Sequence, residues 1–273
     1  MKIPLFIVDA FTSDVFKGNP AAVCLLDSWL PDEVLQSIAA EHNLSETAFF
    51  VKEGADYRIR WFTPSTEVKL CGHATLASAH IFFSELAEND RDQVSFQSAS
   101  GLLLVKKLAD DTLQLDFPAN PPEKAGEISQ GLLEGLGIRG VPPVYLTTFD
   151  YMVQLASQEE ILALQPDFKL LATVKARGVI VTARGNQSDF VSRCFYPQSG
   201  IDEDPVTGSA HTIMVPFWAK ELHKTKMNAI QLSERGGRLS VELAGDRVLM
   251  SGKAVTYLKG EYAIPGEVQG TPL

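Results

Sequence analysis

Hydrophobic and polar positions follow two patterns along this chain. Short stretches alternate with a period of two, which is typical of half-buried strands. They predict strands at 3–8, 21–26, 48–51, 57–62, 94–96, 102–105, 113–117, 190–195, 230–232, 239–241 and 248–250. Two longer stretches, 74–86 and 210–222, are almost continuously apolar, so we expect helices buried on all sides. A third helix is predicted at 31–42, where Pro31 precedes two acidic residues.

The two apolar helices belong to an internal repeat. An offset of 136 residues carries Gly72 onto Gly208 and Gly101 onto Gly237, whereas upstream an offset of 133 carries Arg60 onto Arg193. The second copy therefore holds three extra residues, which fall within 200–205. Similarity at a fixed offset indicates duplicated architecture, although chance likeness between two α/β segments is the alternative.

This repeat predicts an α+β fold of two similar domains, each a mostly antiparallel sheet curved around a central helix. The Pro-rich segment 118–122 marks the boundary. We expect the first domain to comprise residues 1–117 plus about 257–273, and the second to comprise 118–256, with an active site between them.

Composition excludes several classes of function. The chain has 273 residues, 45% of them apolar and 21% charged, and a net charge of −10. No cluster of Lys and Arg suggests nucleic-acid binding. No apolar stretch is long enough to span a membrane, and the N-terminus lacks the pattern of a signal peptide, so we expect a cytoplasmic protein.

The three cysteines, Cys24, Cys71 and Cys194, include no CxxC pair. Cys71 and His73 are two residues apart, but no second close Cys/His pair completes a zinc set. No metal is expected.

Both helix starts are candidate anion sites. Gly72 and Gly208 leave room for a ligand beside the first backbone amides, where the helix dipole favours negative charge. The alternative is ordinary capping by Thr207 or Ser209.

Four side chains are candidates for chemistry. Glu46, between Leu44 and an apolar strand, would be a general acid/base if buried, and a solvated carboxylate otherwise. Asp204 would orient a neighbour or form a turn before Pro205. His73 would titrate near an anion or serve as a structural donor. Cys71 would be a base at a helix start or a buried structural thiol.

These residues lie in motifs that resemble the PhzF (phenazine biosynthesis-like) family over nearly the whole chain. The motifs are Asp9-Ala10-Phe11, Gly18-Asn19-Pro20-Ala21-Ala22-Val23, Asn43-Leu44-Ser45-Glu46-Thr47, Arg60-Trp61-Phe62-Thr63-Pro64, Cys71-Gly72-His73-Ala74-Thr75 and Glu203-Asp204-Pro205-Val206-Thr207-Gly208-Ser209-Ala210. The resemblance implies a diaminopimelate epimerase-like fold with two barrel-like domains, and a homodimer.

The resemblance also implies an isomerase that uses no cofactor and moves a proton on a small carboxylic acid. Glu46 is then the general acid/base, assisted by His73 and Asp204. The substrate-binding residues are Gly72, Gly208, Ser209, Asn19 and Thr207.

Two alternatives stay open. One is a racemase or epimerase of amino or hydroxy acids that depends on Cys71, although the repeat places Thr207 where a second cysteine base would stand. The other is a protein that binds a small molecule or a partner without catalysis.

Overall fold

A computed structural model describes residues 1–54, 56–86 and 91–264. The chain divides into unit 1, formed by Met1–Asp116 and Ser251–Leu273, and unit 2, formed by Phe117–Met250. The predicted return to the first domain, near residue 257, lies later in the chain than Ser251. Residues 265–273 of that segment lie outside the described residues.

Unit 1 begins with eight strands and two helices. They are β1 Lys2–Ala10, β2 Asn19–Leu26, α1 Asp32–His42, β3 Glu46–Glu53, β4 Asp56–Phe62, β5 Glu67–Val68, α2 Gly72–Glu85, β6 Gln93–Ser98, β7 Gly101–Lys107 and β8 Leu113–Pro118.

Among the described residues, the next eight strands and four α-helices lie in unit 2, which also holds the end of β8, whereas the end of β16 lies in unit 1. They are β9 Glu123–Lys124, α3 Leu132–Gly135, β10 Val144–Leu146, β11 Asp150–Gln154, α4 Gln158–Ala163, α5 Phe168–Leu171, β12 Gly178–Arg184, β13 Phe190–Phe195, α6 Gly208–Leu222, β14 Lys226–Gln231, β15 Gly237–Ala244 and β16 Arg247–Gly252. Strand β17, Ala254–Ala263, follows and belongs to unit 1.

The two units share one series of strand pairings. In unit 1, β2 and β3 are parallel, β3 and β4 antiparallel, β4 and β6 parallel, and β6 and β7 antiparallel. In unit 2, the pairs β11–β12, β12–β13, β13–β14 and β14–β15 repeat this alternation. The shared series supports a duplication, and the predicted α+β class is confirmed.

Each unit buries one long helix. Helix α2 packs against β1, β2, β3, β7 and β17, and every residue from His73 to Ala79 is buried. Helix α6 packs against β15, and its side chains are buried from Ala210 to Ala219 except Thr212 and Pro216. A helix that is apolar on all faces requires such burial, as the sequence predicted.

Two further observations bear on the predictions. Residues 45–47 were expected to form a loop, but Glu46 and Thr47 begin β3, because they pair with Ala21 and Ala22 of β2. Within the described residues, the helices are all too short or too polar to cross a bilayer.

Candidate active site

In unit 1 the fold brings Glu46 and His73 together. Glu46 is the first residue of β3, and His73 is the second residue of α2. The His73 Nε2 atom lies 3.2 Å from Oε2 of Glu46. A strand start and a helix start therefore hold the two predicted catalytic side chains within hydrogen-bonding distance.

The other ring nitrogen of His73 is also contacted. Nδ2 of Asn19, the first residue of β2, lies 3.2 Å from Nδ1, and Sγ of Cys71 lies 3.5 Å from the same nitrogen. An amide NH₂ group only donates, so Nδ1 accepts and the ring proton sits on Nε2. The Nε2–H group then lies beside the Glu46 carboxylate, in a close approach that does not have the geometry of a hydrogen bond.

Burial sets the charge of this cluster. His73 is 5% exposed, and its removal from water lowers the pKa of the imidazole to about 3. His73 is therefore neutral at pH 7. Only 14% of the Glu46 side chain is exposed, so Glu46 is not the solvated surface carboxylate that the sequence left open.

The same cluster holds potential metal ligands. One ligand atom from each of Glu46, Cys71 and His73 lies within 4.8 Å of the others. Oxygen, sulfur and nitrogen donors of this kind suit Zn²⁺. The expectation of no metal site considered Cys71 and His73 alone, and the fold adds the Glu46 carboxylate to them.

Helix α2 begins beside these residues without a side-chain cap. Cys71 occupies the N-cap position in an extended conformation and accepts no hydrogen bond there from a helical amide. Thr207 stands in the same relation to α6. Ordinary capping by Thr207 therefore does not satisfy the first amides of α6, which suits both helix starts to an anionic ligand.

In unit 2 the fold brings Asp204 and Thr207 together. Asp204 is 8% exposed, and its carboxylate accepts a hydrogen bond from the Thr207 hydroxyl. The fully buried Gln231 joins them, because its Nε2 donates to the Asp204 carbonyl (2.6 Å) and its Oε1 accepts from the Thr207 amide (2.9 Å). Asp204 is thus fixed by a buried network rather than by a simple turn before Pro205.

Ser209 of unit 2 has a partner that the sequence analysis missed. Its Oγ accepts a hydrogen bond from Nη2 of Arg177 (3.2 Å), which also pairs with Asp150. No motif contains Arg177 or Asp150, and they are far apart in sequence. Aligning the two copies does not single out Arg177 either, since it aligns with Ser45 rather than with Glu46.

The predicted residues thus form two clusters, one in each unit. Asn19, Glu46, Gly72 and His73 belong to unit 1, and Asp204, Thr207, Gly208 and Ser209 belong to unit 2.

Comparison with known proteins places this arrangement in a family. A model of the PhzC-PhzF family, described as phenazine biosynthesis-like protein, matches residues 8–260. An uncharacterized isomerase from Pseudomonas aeruginosa is 51% identical over 265 residues, which cover 95% of this chain and 98% of that protein.

Solved structures agree with this family. A phenazine biosynthesis protein of the PhzF family from Enterococcus faecalis has a TM-score of 0.91 at 46% identity and covers 97% of this chain and 100% of its own. A hydroxyproline epimerase from Agrobacterium vitis has a TM-score of 0.59 at 11% identity, covers 95% and 92%, and shows likeness of fold alone. The predicted epimerase-like fold is confirmed.

Proposed function

This chain belongs to the PhzC-PhzF family of phenazine biosynthesis-like proteins and is an isomerase, and we propose that it moves a proton on a small carboxylic acid with Glu46 as general acid/base. The observation that carries the proposal is the 3.2 Å contact between Glu46 and a buried, neutral His73. A mostly buried carboxylate beside a neutral imidazole keeps its ability to accept a proton.

The proposed proton transfer needs no oxidant, reductant or cofactor, because one proton is removed and one is returned. Glu46 removes a proton from a substrate carbon, and the electron pair spreads through the conjugated system toward the carboxylate. Glu46 then returns a proton to a different carbon, so that the double bond moves. General acid/base catalysis by a positioned side chain contributes about 10²–10⁴-fold to the rate.

The remaining predicted residues bind and orient the substrate in this proposal. Gly72, Gly208 and Ser209 hold its carboxylate with helix-start amides, and donors of this type contribute about 10²–10³-fold each when negative charge develops. Asn19 and Thr207 complete the binding residues, because each contacts a proposed catalytic side chain. His73 and Asp204 hold the intermediate in place.

Deuterium exchange tests the role of Glu46. The protein would be incubated in D₂O with a panel of small hydroxy, amino and cyclic-diene carboxylic acids, and deuterium at carbon would be followed by NMR. We expect Glu46→Gln to lower the exchange rate about 10²–10⁴-fold, because the amide cannot accept the proton.

The matched control is Glu41→Gln, which changes an exposed glutamate of α1 in the same unit. It should exchange at the wild-type rate. Exchange by Glu46→Gln at the wild-type rate would remove Glu46 from the mechanism.

A Cys71-dependent racemase is the second candidate, favoured by one contact. Cys71 Sγ lies at the N-cap of α2, 3.5 Å from His73 Nδ1, where a thiolate would be stabilised. Loss of exchange in Cys71→Ser with retention in Glu46→Gln would favour it over the Glu46 proposal.

A further inference from the structure

The duplicated architecture places different chemistry near the start of the long buried helix of each unit. In unit 1, the first residue of β2, the first residue of β3 and the second residue of α2 meet. These are Asn19, Glu46 and His73. The strands β2 and β3 are a parallel pair, as are β11 and β12 of unit 2.

Unit 2 holds an ion pair near the start of its own long buried helix. Asp150 is the first residue of β11, Arg177 directly precedes β12, and Ser209 is the second residue of α6. The offset of 136 residues carries His73 onto Ser209. The strand register pairs Asp150 with Gly178, which brings Arg177 beside Asp150. The strand registers align Glu46 with Gly178, so Arg177 lies one position before the counterpart of the acid/base.

Arg177 is held rigidly. Its Nε donates to Oδ1 of Asp150 (2.9 Å), its Nη2 donates to Oδ2, and its backbone amide donates to the Phe149 carbonyl (2.6 Å). The Asp150 side chain is 1% exposed, whereas the Arg177 side chain is 42% exposed. The guanidinium of Arg177 is therefore the solvent-exposed member of the pair, and the Asp150 carboxylate is the buried one.

Tyr196 supports the guanidinium from one side. The Arg177 carbon Cζ lies 5.6 Å from the centre of the Tyr196 ring, and a Cβ at Gly178 would overlap that ring. Within the described part of the chain, the buried Tyr196 hydroxyl has no hydrogen-bond partner. The fold thus leaves a buried donor unsatisfied beside an arginine that it has fixed, which is typical of a site awaiting a polar ligand.

Ser209 is oriented by the same contact. Because its Oγ accepts from Arg177, the hydroxyl proton remains available to donate. Arg177 and Ser209 together therefore present two convergent donors at the start of α6, and charge-assisted bonds of this type are the stronger ones.

We propose that Arg177 is a specificity-determining residue, which with Ser209 binds a carboxylate group and restricts the isomerase to anionic substrates. The inference rests on the proposed function for the reaction that follows binding. It assigns substrate selection to unit 2 and proton transfer to unit 1.

Binding of benzoate and its uncharged analogue benzamide tests the inference without turnover. NMR would follow the amide signals of Gly208 and Ser209 during titration of each compound. Wild type should bind benzoate at least about 10-fold more tightly than benzamide. In Arg177→Lys, which keeps the charge beside Asp150 but loses the planar fork, the preference should fall about 10-fold.

A second variant guards against misfolding. Removing Arg177 alone would leave Asp150 buried and unpaired, so the double variant Asp150→Asn/Arg177→Met removes both charges. It should fold and lose the preference for benzoate altogether. The matched control, Arg238→Met, removes an exposed arginine of β15 and should behave as wild type.

Retention of the benzoate preference in both Arg177 variants, or absence of any saturable benzoate effect at Gly208 and Ser209 in wild type, would overturn the inference. The outcome is separable from that of the proposed function. Glu46→Gln should bind benzoate as wild type does, so unchanged exchange in Glu46→Gln would defeat the Glu46 mechanism and leave the Arg177 result standing. With an exchanging acid, the Arg177 variants should raise KM more than they lower kcat.

Discussion

His73 is buried beside the carboxylate that it contacts, and its charge decides what that carboxylate can do. A protonated imidazole would form an ion pair with Glu46 and hold its pKa down. The neutral ring that burial enforces lies beside Glu46 without placing a full positive charge there. Glu46 thereby keeps more of its basicity than an ion-paired carboxylate would.

The tautomer of His73 is the first testable consequence. We expect ¹⁵N NMR of the imidazole to show a proton on Nε2 and none on Nδ1 at pH 7, with titration near pH 3. In Asn19→Leu, which removes the donor to Nδ1, the second tautomer should become populated. The exposed His223 provides a reference signal in the same spectra.

Titration of His73 near pH 6.5 would contradict this expectation. A His73 ring that titrates near its ordinary pKa of about 6.5 would mean that water reaches the cluster. The Glu46 contact would then become an ion pair below about pH 6.5, and the activity of Glu46 as a base should fall in the same range.

At the scale of elements, the turn between β1 and β2 positions Asn19. Gly18 has φ +64°, in the region that favours glycine, and a Cβ there would overlap the Ala10 carbonyl oxygen. A side chain at residue 18 would therefore push the start of β2 away from β1. Asn19, the next residue, would then move away from His73.

Alanine substitutions at Gly54 and Gly18 separate the cost of backbone strain from the cost of steric overlap with the Cβ atom. Gly54 has φ +67° and open space around its Cβ position, so Gly54→Ala should cost about 1 kcal/mol in free energy of unfolding. Gly18→Ala has the same strain plus the backbone overlap, and it should cost about 2–4 kcal/mol. Urea denaturation measures both, and equal losses would show that the turn relaxes around residue 18.

The elements also show how far sequence reasoning reaches. Strand β13 was predicted because its residues alternate with a period of two, and the two buried helices because their stretches are long and almost continuously apolar. The elements between β8 and β12 were missed, because each has seven or fewer residues and no repeat partner had been recognised for them. The start of β3 was missed because Glu46 and Thr47 are polar residues at a strand end.

The candidate site was predictable in composition but not in contacts. The motifs named Glu46, His73 and Asp204, while the Asn19 amide and the Gln231 network depend on strand register. Arg177 was invisible because its partner Asp150 lies on a neighbouring strand and belongs to no motif. Contacts across parallel strands carry no short-range signature in a single sequence.

For the whole molecule, the duplication matters because the copies have diverged in charge. Each unit keeps a parallel strand pair that ends beside the start of a buried helix. One copy places Glu46 there, and the other places Gly178, directly after Arg177. The two copies of the fold therefore hold a carboxylate near one helix start and a guanidinium near the other.

Each unit also buries a histidine with a lowered pKa, which makes the stability of the molecule sensitive to acid. In unit 2, burial lowers the pKa of His211 to about 4 although its Nδ1 contacts the Thr207 carbonyl. In the unfolded chain the same group titrates near 6.5. Below that pH the unfolded state binds a proton that the folded state does not, so the stability present above pH 6.5 is lost as pH falls toward 4.

The loss attributable to His211 should be about 2 kcal/mol between about pH 6.5 and about pH 5. His211→Gln should remove that portion of the pH dependence, whatever its effect on stability at neutral pH, because glutamine does not titrate. Urea unfolding across this range measures the slope. His223→Gln, which changes the exposed histidine of unit 2, should leave the slope as in wild type. An unchanged slope in His211→Gln would show that His211 is protonated in the folded protein, and that unit 2 admits water to the start of α6.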